Sequence, residues 1–193
     1  MKKNWIIILG LVALIVIWGI SAYNSLVPLE ENVDSQWANV ESAYQRRADL
    51  IPNLVETVKG YAAHEKETLE GVIEARSKAS SVSLDPSNLT EENLAQFQAA
   101  QDQLSSALSK LMVVVERYPD LKANENFLQL QSQLEGTENR INVERNKYNE
   151  VAKNFNAAIR RFPKNMIASM FGFSKKAYFH AEAGAEKAPE VKF

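Results

Sequence analysis

The sequence contains no cysteine and only two histidines, His64 and His180, which excludes several kinds of site at once. Without cysteine there is no disulfide, no thiolate metal site and no cysteine nucleophile. His64 and Glu65 begin like a zinc-protease motif, but Thr68 stands where that motif needs its second histidine. A glycine-rich phosphate loop and a GxSxG motif are also absent. We therefore expect no enzyme, no metal and no cofactor.

Glycine, proline and an excess of one charge sign are also scarce. The 193 residues include 7 glycines and 6 prolines, and 22 basic against 24 acidic residues give a net charge of -2. This balance lacks the basic face that nucleic-acid binding requires. The remaining composition, rich in Ala, Leu, Gln, Glu and Lys, favours helices. The length suits one domain, so a single all-α fold is predicted.

One long hydrophobic run is present at the N-terminus, after the basic residues 1–4. Residues 5–22 (WIIILGLVALIVIWGISA) carry no charge and are just long enough to cross a hydrocarbon core of about 30 Å. Trp5, Trp18 and Tyr23 suit the two membrane interfaces. The alternative is a signal peptide cleaved near Ser21 or Ala22, but the run exceeds the usual apolar core of about 7–15 residues. A transmembrane anchor is therefore predicted.

Basic residues set the expected orientation of this anchor. Lys2 and Lys3 precede the run, and no Lys or Arg follows it until Arg46. Only basic residues within about 15–20 residues of a span influence its orientation. The sequence therefore predicts a single-pass membrane protein with a cytoplasmic N-terminus and an extracytoplasmic domain.

The rest of the chain reads as helices with apolar stripes. Val27-Pro28 is expected to interrupt the helix, and a stripe from Val33 then continues through a kink at Pro52 as far as Ile73. Further stripes cover 94–118 and 124–162. We predict an N-terminal transmembrane helix followed by an elongated up-down antiparallel bundle. This bundle, over residues 29–179, has three long helices plus a short C-terminal helix, before a disordered tail at 180–193.

Three features are candidates for binding or specificity. One cluster is too apolar to be left bare in water, so it either caps one end of the bundle or forms a candidate partner patch; it consists of Met166, Ile167, Met170, Phe171 and Phe173. Arg47, Gln101 and Glu144 fall on core-facing positions and form a candidate buried polar layer, with Arg47 either paired with Glu144 or merely snorkelling to the surface. Asparagines along the third helix form either a plain polar face or a binding surface.

Four blocks in this order resemble the LemA family: 46–65 (RRADLIPNLVETVKGYAAHE), 105–131 (SSALSKLMVVVERYPDLKANENFLQLQ), 134–149 (LEGTENRINVERNKYN) and 171–179 (FGFSKKAYF). The resemblance implies a membrane-anchored helical bundle without an assigned catalytic activity. It also implies partners among membrane or envelope proteins, including membrane metalloproteases. The function expected is a scaffold or adaptor of the cell envelope; the alternative is a self-associating structural or signalling protein. The bilayer is the second expected partner. A further copy of the chain, in a homo-oligomer, is the third.

Overall fold

The computed structural model describes residues 2–180, with side chains from Asn4 onward, and this part of the chain is all-α. The expected fold class is therefore confirmed. The tail prediction lies outside the described residues, apart from His180. The helices are α1 (Lys2–Lys59), α2 (Lys66–Ser81), α3 (Glu91–Val115), α4 (Pro119–Lys122), α5 (Glu125–Arg160) and α6 (Lys164–Phe171), with a 3-10 turn at Pro86–Asn88 between α2 and α3.

Helix α1 runs unbroken from the apolar segment into the bundle. Its 58 residues correspond to a length of about 87 Å at 1.5 Å per residue. The expected interruption at Val27-Pro28 is wrong, because both Pro28 and Pro52 lie inside the helix. Pro28 is exposed, so the one carbonyl that its missing N–H leaves free can be hydrated, while the buried Leu26 and Val33 hold the helix on either side. Packing therefore outweighs the local preference of proline.

The apolar stripe that the sequence continues to Ile73 is divided between two antiparallel helices. Residues 60–65 form a turn in which the Gly60 and Ala62 amides donate to the Glu56 and Val58 carbonyls. The chain then reverses into α2, whose buried residues join the same core cluster as Ile51–Val58. Gly60 disfavours continuation of α1 at this point. The reversal also buries the second half of the apolar stripe, which one straight helix would leave exposed. The three long helices are thus α1, α3 and α5, and α2 is an additional shorter one.

Hydrogen bonds between helices establish the up-down topology. On α1 and α5, Gln36 pairs with Glu144 and Arg47 with Glu138, so these helices are antiparallel. Side-chain caps begin two helices: Thr90 Oγ1 accepts from the Asn93 amide at α3, and Asn124 Oδ1 accepts from the Phe127 amide at α5. The chain therefore leaves the apolar segment along α1, returns along α2, leaves again along α3 and returns along α5.

The core divides into two hydrophobic clusters along the rod. The cluster nearer the apolar segment centres on Trp37, whose indole lies 5.5 Å from the Phe97 ring and 5.6 Å from the Tyr148 ring, centroid to centroid. The distal cluster contains Leu54, Leu104 and Phe127 among others. A layer of polar side chains around Arg47 separates them. The expected apolar stripes on α1, α3 and α5 are the ones that fill this core.

Candidate functional site

The anchor is the first part of α1. The helix is long and apolar enough to cross a membrane, with a mean hydropathy of 2.6 over its most apolar window. Its large side chains, including Trp5, point away from the protein and are exposed, as expected for a lone helix in lipid. Trp18 and Tyr23, at its other end, are partly covered. The protein is thus membrane-associated through its apolar N-terminal helix.

Helix α6 lies against the end of this apolar segment. Ile167 is buried, and its Cδ1 lies 3.7 Å from the position that a Cβ on Gly19 would occupy. The rings of Phe171 and Phe173 lie 4.8 Å and 5.6 Å from that of Tyr23. The five residues of the candidate partner patch therefore divide. Ile167 and Phe173 pack inward, whereas Met166, Met170 and Phe171 remain exposed.

After α6, residues 173–180 form a segment without helix that returns along α5; we call it the C-terminal strap. Asn156 donates from Nδ2 to the Lys176 carbonyl at 2.8 Å and accepts from the Lys176 amide at 2.9 Å. Asn149 makes the same two bonds with Phe179, at 2.9 Å and 2.8 Å. Tyr148 Oη donates to the Ala177 carbonyl at 3.1 Å. Two of the asparagines on the third long helix thus bind the chain's own backbone.

The strap carries a buried cation, Lys176. Its Nζ donates to the Pro86 carbonyl at 3.0 Å and lies 3.4 Å from Glu30 Oε1 and 3.9 Å from Asp34 Oδ1. Burial raises the pKa of the Asp34 carboxyl, and Lys176 partly offsets this rise. Lys176 therefore joins the strap to α1 and to the turn before α3.

Arg47 lies in the polar layer, with only 2% of its surface exposed. Its guanidinium donates to Gln101 Oε1 at 2.7 Å, to Ser105 Oγ at 2.9 Å and to Glu138 Oε2 at 2.8 Å. Arg47 and Gln101 are thus brought together, and the snorkelling alternative does not hold. Burial also raises the pKa of the adjacent Tyr44 to about 12, so the Tyr44 hydroxyl stays protonated.

Glu144 is also buried, but it does not share this layer. Its carboxylate accepts from Gln36 Nε2 at 2.6 Å, and Arg140 Nε and Lys147 Nζ lie 2.7 Å and 3.2 Å away. The hypothesised ion pair with Arg47 is therefore wrong, because Glu138, six residues earlier on α5, takes that place. The Gln36 hydrogen bond is the main reason why the pKa of Glu144 lies below its ordinary value.

A groove of about 420 Å³ opens between α3 and α5 above Arg47. Its apolar lining includes Leu108, Met112 and Leu134, and its rim carries Ser109 and Glu138. Within the part of the chain that the structure describes, no three His, Asp or Glu side chains converge to hold a metal ion. The arrangement is suited to binding a side chain or a helix, and it offers no nucleophile paired with a base.

The comparisons with known proteins agree with this architecture. The model of the LemA family matches residues 36–193. The chain belongs to the LemA family. Protein LemA of Metamycoplasma hominis is 27% identical over 158 residues, which cover 82% of this chain and 68% of that protein. Magnetosome protein MamQ of Magnetospirillum gryphiswaldense is 26% identical over 181 residues, covering 85% of this chain and 66% of MamQ. The chain thus spans about two thirds of the length of these LemA-family relatives.

Proposed function

We propose that this LemA-family protein is a membrane-anchored, non-catalytic scaffold or adaptor of the bacterial cell envelope. In this proposal the N-terminus is cytoplasmic, as Lys2 and Lys3 favour, and the extracytoplasmic bundle binds another membrane or envelope protein. The observation that carries the proposal is the unbroken helix α1. Because one helix contains both the apolar segment and a wall of the bundle, each part of the bundle surface is held at a fixed distance along α1 from the apolar segment.

The groove between α3 and α5 is the surface best suited to such a partner. Its lining combines apolar side chains such as Leu108 and Met112 with polar ones such as Ser109, and an amphipathic helix can contact both kinds. The groove lies at the level of Arg47, which is 25 residues beyond Ala22 and therefore about 38 Å from the end of the apolar segment. A partner must reach this height, so we propose an envelope protein or a membrane protein with an extracytoplasmic domain. A membrane metalloprotease is one such class.

Site-specific photo-cross-linking in cells tests the proposal. Because the native chain has no cysteine, an introduced cysteine is the one position of this protein that the reagent labels. Ser109→Cys at the groove and Ser42→Cys on the exposed face of α1 are labelled with a benzophenone maleimide in the full-length protein. Ser109 is expected to cross-link to one membrane or envelope protein, and Ser42 is not. Adding Met112→Lys to the Ser109→Cys chain should remove the product, provided that circular dichroism shows an unchanged helix content.

Self-association is the competing function, and the same experiment separates it. Products that contain only two copies of this chain would overturn the adaptor proposal in favour of a self-assembling envelope protein. Equal cross-linking from Ser109 and Ser42 would show that the groove is not the binding surface.

A further inference from the structure

Helix α6 has an apolar face that no part of the described chain covers. Met166 and Met170 lie four residues apart on one side of α6 and are 60% and 74% exposed, and Phe171 extends the same surface. Phe162, in the turn just before α6, is 81% exposed. The opposite side, with Ile167 and Ala168, packs against the protein. So many large exposed side chains on ten residues exceed what a water-facing surface normally carries.

The position of this face along α1 identifies what covers it. Ile167 contacts α1 at Gly19, and Phe171 contacts it at Tyr23. If the hydrocarbon boundary is at Ala22, the end of the apolar run, the Gly19 level lies about 4–5 Å inside it. Helices that lie in the membrane plane insert their apolar side to about 5–10 Å at this boundary. The exposed face of α6 is therefore continuous with the lipid-facing surface of α1.

The charges near α6 also fit a membrane surface. Arg160 and Arg161 are exposed immediately before Phe162, and Lys164 begins α6. Basic residues beside an inserted apolar face attract the phosphates of anionic lipid headgroups. Within α6 itself there is no acidic residue to oppose this attraction.

We propose that α6 and Phe162 insert into the same bilayer that α1 crosses, as a second, in-plane membrane attachment. The apolar surface that the sequence suggested for a protein partner is thus assigned to lipid, through Phe162, Met166, Met170 and Phe171. One helix crossing a bilayer leaves the bundle free to tilt relative to the membrane plane. A second contact on one side of α1 restricts this tilt, so the groove between α3 and α5 keeps a constant angle to the membrane plane.

Fluorescence quenching on the full-length protein tests this insertion. Met170→Cys and Val113→Cys are each labelled with an environment-sensitive fluorophore, in vesicles of phosphatidylethanolamine and phosphatidylglycerol. Val113 is a matched control, because it is an apolar residue of similar exposure, at 71%, near the distal end of α3. Nitroxide-labelled lipid should quench the Met170 label at least about threefold more than the Val113 label. Aqueous iodide should show the opposite order.

A second label at Phe162→Cys guards against disturbance of α6 by the Met170 substitution. Labels at positions 162 and 170 that iodide quenches as strongly as the label at 113 would overturn the proposal. Labels that neither quencher reaches would overturn it as well, because another copy of the chain would then cover this face. Both outcomes leave the cross-linking test of the α3–α5 groove unaffected.

Discussion

Asn156 holds both backbone polar groups of Lys176, donating to its carbonyl and accepting from its amide. Asn149 repeats this pairing with Phe179. Seven residues of helix rise about 10.5 Å, and three residues of extended chain cover about 10 Å, so the two spacings match. The C-terminal strap is therefore fixed to α5 in one register, although it forms no strand and no helix of its own.

Asn156→Ala is expected to destabilise the fold by about 2–4 kcal/mol, because it leaves the buried amide and carbonyl of Lys176 without partners. Asn154→Ala, on the exposed surface of the same helix, is the matched control and should change stability by less than about 0.5 kcal/mol. Chemical unfolding of the two full-length variants in detergent, followed by circular dichroism, measures the difference. Equal stabilities would show that the strap contributes nothing.

Neighbouring lysines on the strap should respond very differently to substitution. Lys176 is 1% exposed beside Glu30 and Asp34, whereas Lys175 forms an exposed ion pair with Glu91. Lys176→Ala removes the counter-charge of two partly buried carboxylates, and we expect a loss of about 2–3 kcal/mol. Lys175→Ala should lose less than about 0.5 kcal/mol. Parallel urea titrations give both values, and a smaller loss for Lys176 than for Lys175 would refute this account of the strap.

The periodic spacing of apolar residues in the sequence was sufficient to predict the long helices and their buried faces. The apolar stripes on α3 and α5 followed from the spacing of their apolar residues. The strap could not be found in this way, because Asn156 and Lys176 are 20 residues apart and one of them contributes only backbone atoms. Such pairings have no periodic signal. The asparagines on α5 were the sequence feature related to the strap, and they fitted a plain polar face equally well.

The misassigned partner of Arg47 has a related cause. Heptad counting placed Arg47 and Glu144 on core-facing positions, and both are buried. Heptad counting predicts the face of a helix on which a residue lies. It does not predict which residue of a neighbouring helix lies at the same level along the bundle. In the structure Arg47 lies at the level of Glu138, and Glu144 lies at the level of Gln36. The continuity of α1 through Pro28 likewise depends on tertiary packing that local preference does not contain.

Arg47→Ala is expected to cost about 2–4 kcal/mol, since it removes the donor to the buried Gln101 side chain and leaves a cavity between the two core clusters. Arg46→Ala is the adjacent exposed control and should be close to neutral. Thermal unfolding by circular dichroism distinguishes them. A combined Arg47→Met and Gln101→Leu variant should recover part of the loss, because an apolar replacement of a whole polar layer leaves no buried group unpaired.

The continuity of α1 can be measured directly across Pro28. Asn24 and Ser42 are exposed and 18 residues apart, which is five full turns, so spin labels on cysteines at these positions share one side of the helix. For an unbroken helix, double electron–electron resonance should give a narrow distribution of distances between the two spin labels, centred at about 27 Å. Pro28→Ala should leave this distance unchanged. A shorter, broad distribution that Pro28→Ala narrows would show that the helix breaks at the proline.

Acid should weaken the fold partly through Glu144. Its pKa is lowered in the folded protein, chiefly by the Gln36 hydrogen bond, with Lys147 and Arg140 contributing. A carboxyl group with a depressed folded pKa stabilises the fold above its unfolded pKa, and this contribution is lost as the pH falls through the folded pKa.

The free energy of unfolding should therefore fall more steeply below about pH 4.5 in the native chain than in Glu144→Gln. Gln36→Ala should make this loss smaller, because it removes the donor and lets the folded pKa of Glu144 rise toward its unfolded value. Urea titrations between pH 3 and 7, on the order of one per half unit, resolve the slopes. Identical slopes in the native chain and Glu144→Gln would mean that this carboxyl does not carry the acid sensitivity.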